Sequence, residues 1–96
     1  MKYLIIILLV LISGCQSVSE QSVSDICVQA CKDATKNLED GPCLLDPIES
    51  SDYVCDVAHN PREEIDNQAE NQCRAYPDRA RHFIEVTPNC EIIRVV

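Results

Sequence analysis

The hydrophobic and polar positions divide the chain into an apolar N-terminal run and a mixed remainder. Residues 3–12 are uncharged and rich in Ile and Leu, whereas polar residues recur throughout the chain from Gln16 onward. In the remainder, a helical period is clearest at Val23, Ile26, Cys27, Ala30, Cys31 and Ala34, which recur three and four positions apart. The pattern predicts an amphipathic helix over residues 22–38, with Ser22 and Asp25 as its capping box.

Residue types that favour β-structure mark the predicted strands. Residues 43–45 favour a short strand, and residues 53–59 favour a longer strand with alternating faces. Residues 82–86 and 91–96 are also rich in β-formers, and the intervening residues 87–90 suit a turn. The C-terminal part of the chain is therefore predicted to form a β-hairpin.

The stretch between the second and third predicted strands is ambiguous. Residues 61–67 suit either a loop or a helix, and residues 68–75 favour a short second helix that ends before Pro77. The predicted fold class is α+β. We expect the N-terminal helix to pack on a three- or four-stranded antiparallel sheet in a single domain that covers residues 23–96.

The first fifteen residues have the order of an export signal. The positive Lys2 precedes the uncharged run of residues 3–12, which as a helix is about 15 Å long and too short to span a bilayer. The run ends in Ile12-Ser13-Gly14-Cys15, an aliphatic residue and two small residues followed by Cys. This motif resembles the lipobox of prokaryotic (bacterial or archaeal) lipoproteins.

The resemblance implies how the N-terminus is processed and where the protein resides. Residues 1–14 would be a cleaved signal peptide, Cys15 would carry two or three acyl chains such as palmitate, and residues 15–22 would be a flexible tether. Two or more acyl chains anchor a protein stably in a bilayer. The domain would face the extracytoplasmic side, at the outer membrane in an organism with two membranes, because Gln16 is not the Asp that retains lipoproteins at the inner one.

The cysteine count is odd until the lipobox is considered. Seven cysteines are present, and assigning Cys15 to lipid leaves an even number: Cys27, Cys31, Cys43, Cys55, Cys73 and Cys90. In a small exported domain, such a set predicts disulfides that compensate for a small core. The alternative interpretation is a zinc site built from Cys27, Cys31, His59 and His82. The ligand spacings that are usual in zinc sites are absent, so we expect no metal and no other cofactor.

The helical spacing of two cysteines restricts the pairing. Six cysteines allow 15 connectivities. Cys27 and Cys31 stand four apart on one helical face, where a direct bond would distort the helix. Each is therefore expected to cross to a different later element, which clamps the helix on the sheet, while the two remaining cysteines pair together.

The charge excludes one class of partner. The chain has 8 basic and 16 acidic residues, a net charge of −8, and removal of Lys2 with the signal would make the net charge −9. Such a domain should be repelled by phosphate backbones, so a nucleic-acid partner is not expected.

Four residues are candidate ligand or partner contacts: Asp56, His59, Arg62 and His82. Asp66 and Glu85 are acidic residues expected near them. No nucleophile lies beside a base in a catalytic motif, and disulfide formation would leave no thiolate, so the domain is not expected to be an enzyme. The alternative is a metal-binding protein or small hydrolase that uses His59, His82 and nearby carboxylates.

The stretch from residue 43 to residue 90 resembles small cysteine-rich exported proteins of archaea and bacteria that have no assigned activity. The resemblance rests on the segments Val54–Arg62, Glu70–Cys73 and His82–Val86, and it implies a shared fold without catalytic residues. The expected function is that of a lipid-anchored interaction module or structural module of the cell envelope. Its binding surface is expected in the loops 46–52 and 59–72.

Overall fold

A computed structural model describes residues 19–96. The predicted signal peptide and Cys15 lie outside these residues. Over residues 19–96 the fold is α+β, with one α-helix and a four-stranded sheet: α1 (Glu20–Asp33), β1 (Cys43–Leu45), β2 (Tyr53–Val57), β3 (His82–Val86) and β4 (Ile92–Val95). Within the described part of the chain, no helix has the length and apolar character needed to cross a membrane.

The sheet has the order β1-β2-β3-β4, but it is mixed and not antiparallel as predicted. The β1–β2 and β3–β4 pairs are antiparallel, whereas β2 and β3 are parallel, with Tyr53 beside His82 and Val57 beside Val86. Parallel neighbours require a crossover connection. Residues 58–81 provide it, by passing over one face of the sheet between the end of β2 and the start of β3.

The helix is shifted towards the N-terminus relative to the prediction of residues 22–38. Its N-cap is Ser19, whose hydroxyl accepts a hydrogen bond from the Ser22 N–H at 3.1 Å. The helix ends at Asp33 because the backbone of Ala34 is extended, with ψ of 142°. This redirection brings Leu38 onto the core from a separate 3₁₀ turn, Leu38–Asp40, so tertiary packing overrides the helical period.

The predicted second helix over residues 68–75 is not present. Two 3₁₀ turns, Glu64–Asn67 and Ala69–Asn71, occupy this part of the crossover. Gln68 between them is extended, which prevents one continuous helix. The carboxylate of Asp66 accepts the backbone N–H of Glu63 at 2.8 Å, an example of a side chain that competes with helical hydrogen bonding.

The two faces of the sheet are packed differently. The face towards α1 forms the main core, whose buried members are Val23, Cys27, Cys31, Ile48, Cys55, Val57, Ile84 and Val86. The other face is partly covered by the crossover, where Ala75 and Ala80 pack against Val54 and Phe83. The strands therefore have one apolar face that is buried under α1 and a second face that the crossover covers only in part.

Three disulfides hold these layers together: Cys27–Cys55, Cys31–Cys90 and Cys43–Cys73. The first two link α1 to β2 and to the turn of the β3–β4 hairpin, so Cys27 and Cys31 pair with different later elements, as their helical spacing predicted. The third links β1 to the crossover. Each can contribute about 2–4 kcal/mol in a domain of this size.

Candidate functional site

A cleft of about 310 Å³ opens on the sheet face opposite α1. Its floor is made by Val54 and Asp56 of β2 and by Phe83 and Glu85 of β3. The parallel register places Val54 beside Phe83 and Asp56 beside Glu85. Because side chains alternate along a strand, all four project on the same side of the sheet. The cleft floor is therefore half apolar and half acidic.

Two arginines converge on Glu85, which is only 7% exposed. Arg62 Nη1 lies 2.7 Å from one carboxylate oxygen of Glu85, and Arg94 Nε lies 3.0 Å from the other. Arg62 is further oriented because it donates to the side chain of Asn67 at 2.7 Å and to the carbonyl of Asp66 at 3.3 Å. Both oxygens of the Glu85 side chain are thus paired with guanidinium groups.

Asp56 is the unusual group of the cleft. Its side chain is only 8% exposed, and among residues 19–96 no group donates a hydrogen bond to its buried Oδ1. Burial, with a smaller contribution from Glu85, raises the pKa of Asp56 to about 8, although Arg62 opposes this shift. Asp56 is therefore largely protonated at neutral pH, and a buried polar atom without a partner costs about 1–3 kcal/mol.

The cleft wall combines aromatic rings with a disulfide. Tyr76 and Phe83 meet edge to face, with ring centroids 5.1 Å apart. Cys73 lines the cleft, and a carboxylate oxygen of Asp56 lies within 4.8 Å of the sulfur atoms of both Cys43 and Cys73. With Asp56 protonated, the two arginines outnumber the one remaining acidic residue of the lining, Glu85, in a protein of net charge −8.

His59 lies outside this cleft, beyond the end of β2, and pairs with Asp66. Its Nδ1 is 2.9 Å from Asp66 Oδ1 and its Nε2 is 3.2 Å from Glu39 Oε1. The contact with Asp66, followed by that with Glu39, raises the pKa of His59. Burial by itself raises the pKa of Asp66, but hydrogen bonds from Glu63 and His59 outweigh it, so the pKa of Asp66 is lowered overall.

His82 lies at the other end of the parallel strands. Its ring stacks on Tyr53 with centroids 4.8 Å apart, and its Nδ1 is 3.1 Å from the carbonyl oxygen of Val96. His82 begins β3 in register with Tyr53, whereas His59 follows the end of β2. The structure therefore separates the two histidines by the length of a strand and forms no joint site from them.

Of the four predicted contact residues, the structure brings Asp56 and Arg62 together and leaves His59 and His82 elsewhere. Arg94 and Tyr76 complete the cleft without having been predicted. A signal for the buried carboxyls was present, because Asp56 follows Val54-Cys55 and Glu85 stands between Ile84 and Val86, so each acid interrupts an apolar strand. No comparable signal marks Arg94, whose approach depends on the β3–β4 pairing.

The two predicted binding loops have different roles. The loop 59–72 contributes Arg62 and Gln72 to the cleft. In the loop 46–52, the carboxylate of Asp46 accepts the N–H groups of Arg74 and Ala75 at 2.8 and 2.7 Å. Asp52 accepts the N–H of Arg81 at 3.0 Å. This loop therefore fixes the crossover that forms the cleft wall.

Comparison with protein-family models, with curated proteins and with solved structures returned no match.

Proposed function

We propose that this protein is a lipid-anchored binding module of the cell envelope that faces the extracytoplasmic side of the membrane. The anchor rests on the lipobox-like residues 12–15 and the preceding apolar run. Three disulfides in a domain of this size fit an oxidising compartment. The short tether keeps the domain close to the lipid headgroups.

The observation that carries the binding proposal is the state of Asp56. A buried carboxyl oxygen, Asp56 Oδ1, without a hydrogen-bond partner in the described residues and on the floor of an open cleft, is a position that a ligand would satisfy. The other groups indicate the ligand class. Arg62 and Arg94 are 40% and 56% exposed, so their remaining N–H groups are accessible.

The ligand class that fits is a small organic carboxylate with an apolar or aromatic part. Its carboxylate would accept hydrogen bonds from the protonated Asp56 and from the arginine N–H groups, because guanidinium groups suit planar anions. Its apolar part would lie against Phe83 and Tyr76. A cationic ligand is disfavoured because both arginines lie at the cleft and Asp56 is largely uncharged at neutral pH.

The test is titration of the full-length protein in detergent micelles with benzoate, followed by NMR, with benzylamine as the comparator of opposite charge. We expect saturable shifts at Val54 and Phe83 with benzoate alone. Affinity should fall as pH rises through about 8, where Asp56 ionises. Saturation by benzylamine with equal or higher affinity, or no saturation by benzoate, would show that the proposed ligand class is wrong.

Two substitutions separate the contribution of Asp56 from general damage to the cleft. Asp56→Val should weaken benzoate binding by about 10-fold, which is the effect of losing one charge-assisted hydrogen bond. Asp56→Asn keeps a donor that does not titrate, so binding should survive above pH 8. Asp40→Asn, the same Asp-to-Asn change at an exposed position outside the cleft, should leave both affinity and pH dependence as in the wild type.

A further inference from the structure

The three disulfides differ in their surroundings. Cys27 and Cys55 are fully buried, and Cys31 is 1% exposed. Cys90, the partner of Cys31, is partly exposed, but only in the Cys43–Cys73 disulfide are both cysteines partly exposed, and Cys73 lines the cleft. A small molecule that enters the cleft therefore meets this disulfide, whereas the sheet and α1 cover the Cys27–Cys55 bond.

Asp56 is placed to act on the same disulfide. One of its carboxyl oxygens lies within 4.8 Å of both sulfur atoms, and its Oδ1 has no hydrogen-bond partner among residues 19–96. A protonated carboxyl group at this distance can supply a proton, through one bridging water molecule, to a sulfur that leaves as a thiolate. Proton transfer by a positioned acid typically accelerates such a step by about 10²–10⁴-fold.

We propose that Cys43–Cys73 is a redox-active disulfide that oxidises low-molecular-weight thiols entering the cleft, with Asp56 as the proton donor to the leaving sulfur. This activity goes beyond the proposed binding of carboxylates and does not depend on it. It also adds thiol–disulfide exchange, with the protein disulfide as the electrophile, which the sequence alone gave no reason to expect.

The reaction proceeds in two balanced exchanges. The thiolate of a first thiol attacks Cys73 Sγ, a mixed disulfide forms, and the Cys43 sulfur leaves with the bonding electron pair and takes the proton of Asp56. The thiolate of a second thiol then attacks the sulfur of the first, releasing Cys73 as a thiol. The proton lost by the first thiol replaces the one that Asp56 gave to Cys43, and the proton lost by the second thiol is taken up by Cys73. In total, one protein disulfide and two small thiols become one protein dithiol and one small disulfide.

The surroundings accommodate the dithiol product. The carbonyl oxygen of Cys55 lies 3.8 Å from Cys43 Sγ and 3.6 Å from Cys73 Sγ. The carbonyl oxygen of Leu45 lies 3.7 and 3.9 Å from the same two atoms. After reduction, each S–H therefore has an acceptor within reach, and neither thiol would be left as a buried donor without a partner.

The charges around Asp56 come from three elements. Glu85 lies on β3, Arg94 projects from β4, and Arg62 and Asp66 belong to the crossover. Glu85 and Asp66 favour the protonated carboxyl, whereas Arg62 favours the ionised one. The proton remains on Asp56 at neutral pH and is available when the Cys43 sulfur leaves.

The first experiment uses the full-length wild-type protein in detergent. Reduced glutathione is added at pH 7, samples are quenched with acid, new thiols are alkylated, and peptides are mapped by mass spectrometry. We expect Cys43 and Cys73 to become labelled at least about 10-fold faster than the four cysteines of the other two disulfides, with oxidised glutathione formed in equal amount. Equal labelling rates for the three disulfides would overturn the proposal.

The second experiment tests Asp56 through the pH profile of the labelling rate. In the wild type, the rate should rise as the attacking thiol ionises and fall once Asp56 has lost its proton, which gives a bell-shaped profile. Asp56→Asn should be at least about 10-fold slower at pH 7 and should lose the falling limb, while Asp40→Asn keeps the wild-type profile. Near-UV circular dichroism verifies that each variant is folded, and an unchanged profile in folded Asp56→Asn would overturn the role of Asp56.

Discussion

His59 holds the buried carboxylate of Asp66 through its backbone and its ring together. The backbone N–H of His59 donates to Asp66 Oδ2 at 2.9 Å, and the ring Nδ1 lies 2.9 Å from Asp66 Oδ1. Asp66 is fully buried and also accepts the N–H of Glu63. This pair holds the start of the crossover against the end of β2, close to Arg62, whose side chain lines the cleft.

Removing the His59 ring should destabilise the fold in a pH-dependent way. The pKa of His59 is raised, so its stabilisation is complete below about 6.5 and is lost as pH rises through its folded pKa. The pKa of Asp66 is lowered, so its stabilisation is present above about 3.8 and is lost as pH falls through its folded pKa. The pair therefore contributes most between these limits.

We expect His59→Ala to lower the free energy of unfolding by about 2 kcal/mol at pH 5, the scale of a hydrogen bond to a charged group, and by less at pH 9. Urea unfolding at both pH values checks this. His82→Ala is the control, because its ring lies 4.0 Å from Asp52 and both groups are about half exposed, so the loss at pH 5 should be smaller. A loss for His59→Ala that does not differ between pH 5 and pH 9 would contradict the ion pair.

Asp56→Asn should stabilise the protein increasingly as pH rises. The pKa of Asp56 is raised by burial to about 8, so between about 4 and 8 the folded state binds a proton that the unfolded state has lost. Wild-type stability therefore falls with pH in this window, by up to about 1.4 kcal/mol per pH unit from this group. Asn cannot ionise, and the gap between the variant and the wild type should widen from pH 5 to pH 8 in urea unfolding.

The matched control for Asp56→Asn is Asp40→Asn, because Asp40 lies on an exposed 3₁₀ turn. Its stability should keep the pH slope of the wild type. If the two variants have the same slope, Asp56 is not protonated in the fold, and the proton-donor role proposed for it is wrong as well.

Gly41→Ala should be strongly destabilising. Gly41 has a φ of 68°, in the left-handed region, and a Cβ at this position would collide with Oδ1 of the buried Asp66. The combined backbone strain and displacement of Asp66 should lower the free energy of unfolding by about 2–4 kcal/mol. Thermal unfolding measures the loss, and a change of less than about 0.5 kcal/mol would show that Asp66 can move aside.

Ser50→Gly is the reverse control for the same backbone conformation. Ser50 has a φ of 60° and is exposed, so glycine relieves strain without removing a buried contact. We expect a change in unfolding free energy of about 1 kcal/mol or less in either direction, because relieved strain and added chain entropy oppose each other. A loss as large as that of Gly41→Ala would show that Ser50 is not strained in the left-handed conformation, and that this conformation by itself is a poor guide to the effect of a substitution.

Cys15→Ala should abolish the proposed lipid anchor. The thiol of Cys15 is the atom that would receive the diacylglyceryl group, so the variant should keep its signal peptide and lose the acyl mass. Intact mass spectrometry of the expressed protein checks both changes. A variant that is processed at residue 14 and remains bound to the membrane would contradict the lipoprotein assignment.

Local sequence patterns predicted the elements whose stabilising contacts lie close in the chain. Residues 43–45 and 82–86 form the strands that were predicted, and residues 87–90 form the turn of a hairpin. In each case, β-propensity and turn chemistry act within a few residues. The helix bounds were less accurate, because Ser19 provides the N-cap and the extended backbone of Ala34 ends the helix at Asp33.

The crossover was not predictable in the same way. Its two 3₁₀ turns depend on the side chain of Asp66, which meets Gly41 and His59 only in the folded state. The parallel pairing of β2 with β3 follows from the path of this crossover across the sheet. Propensity over residues 68–75 contains no information about that path, so the expected helix was wrong.

Local patterns in the chain were enough to predict an α+β domain with six cysteines for disulfides. They also excluded a bond between Cys27 and Cys31, because helical geometry at four-residue spacing is local. The meeting of Asp56 with Glu85, Arg62 and the Cys43–Cys73 disulfide, by contrast, depends on how the layers assemble. These groups come from four separate parts of the chain. Their proximity depends on strand order, strand register and burial, which are properties of the assembled layers and not of any single segment.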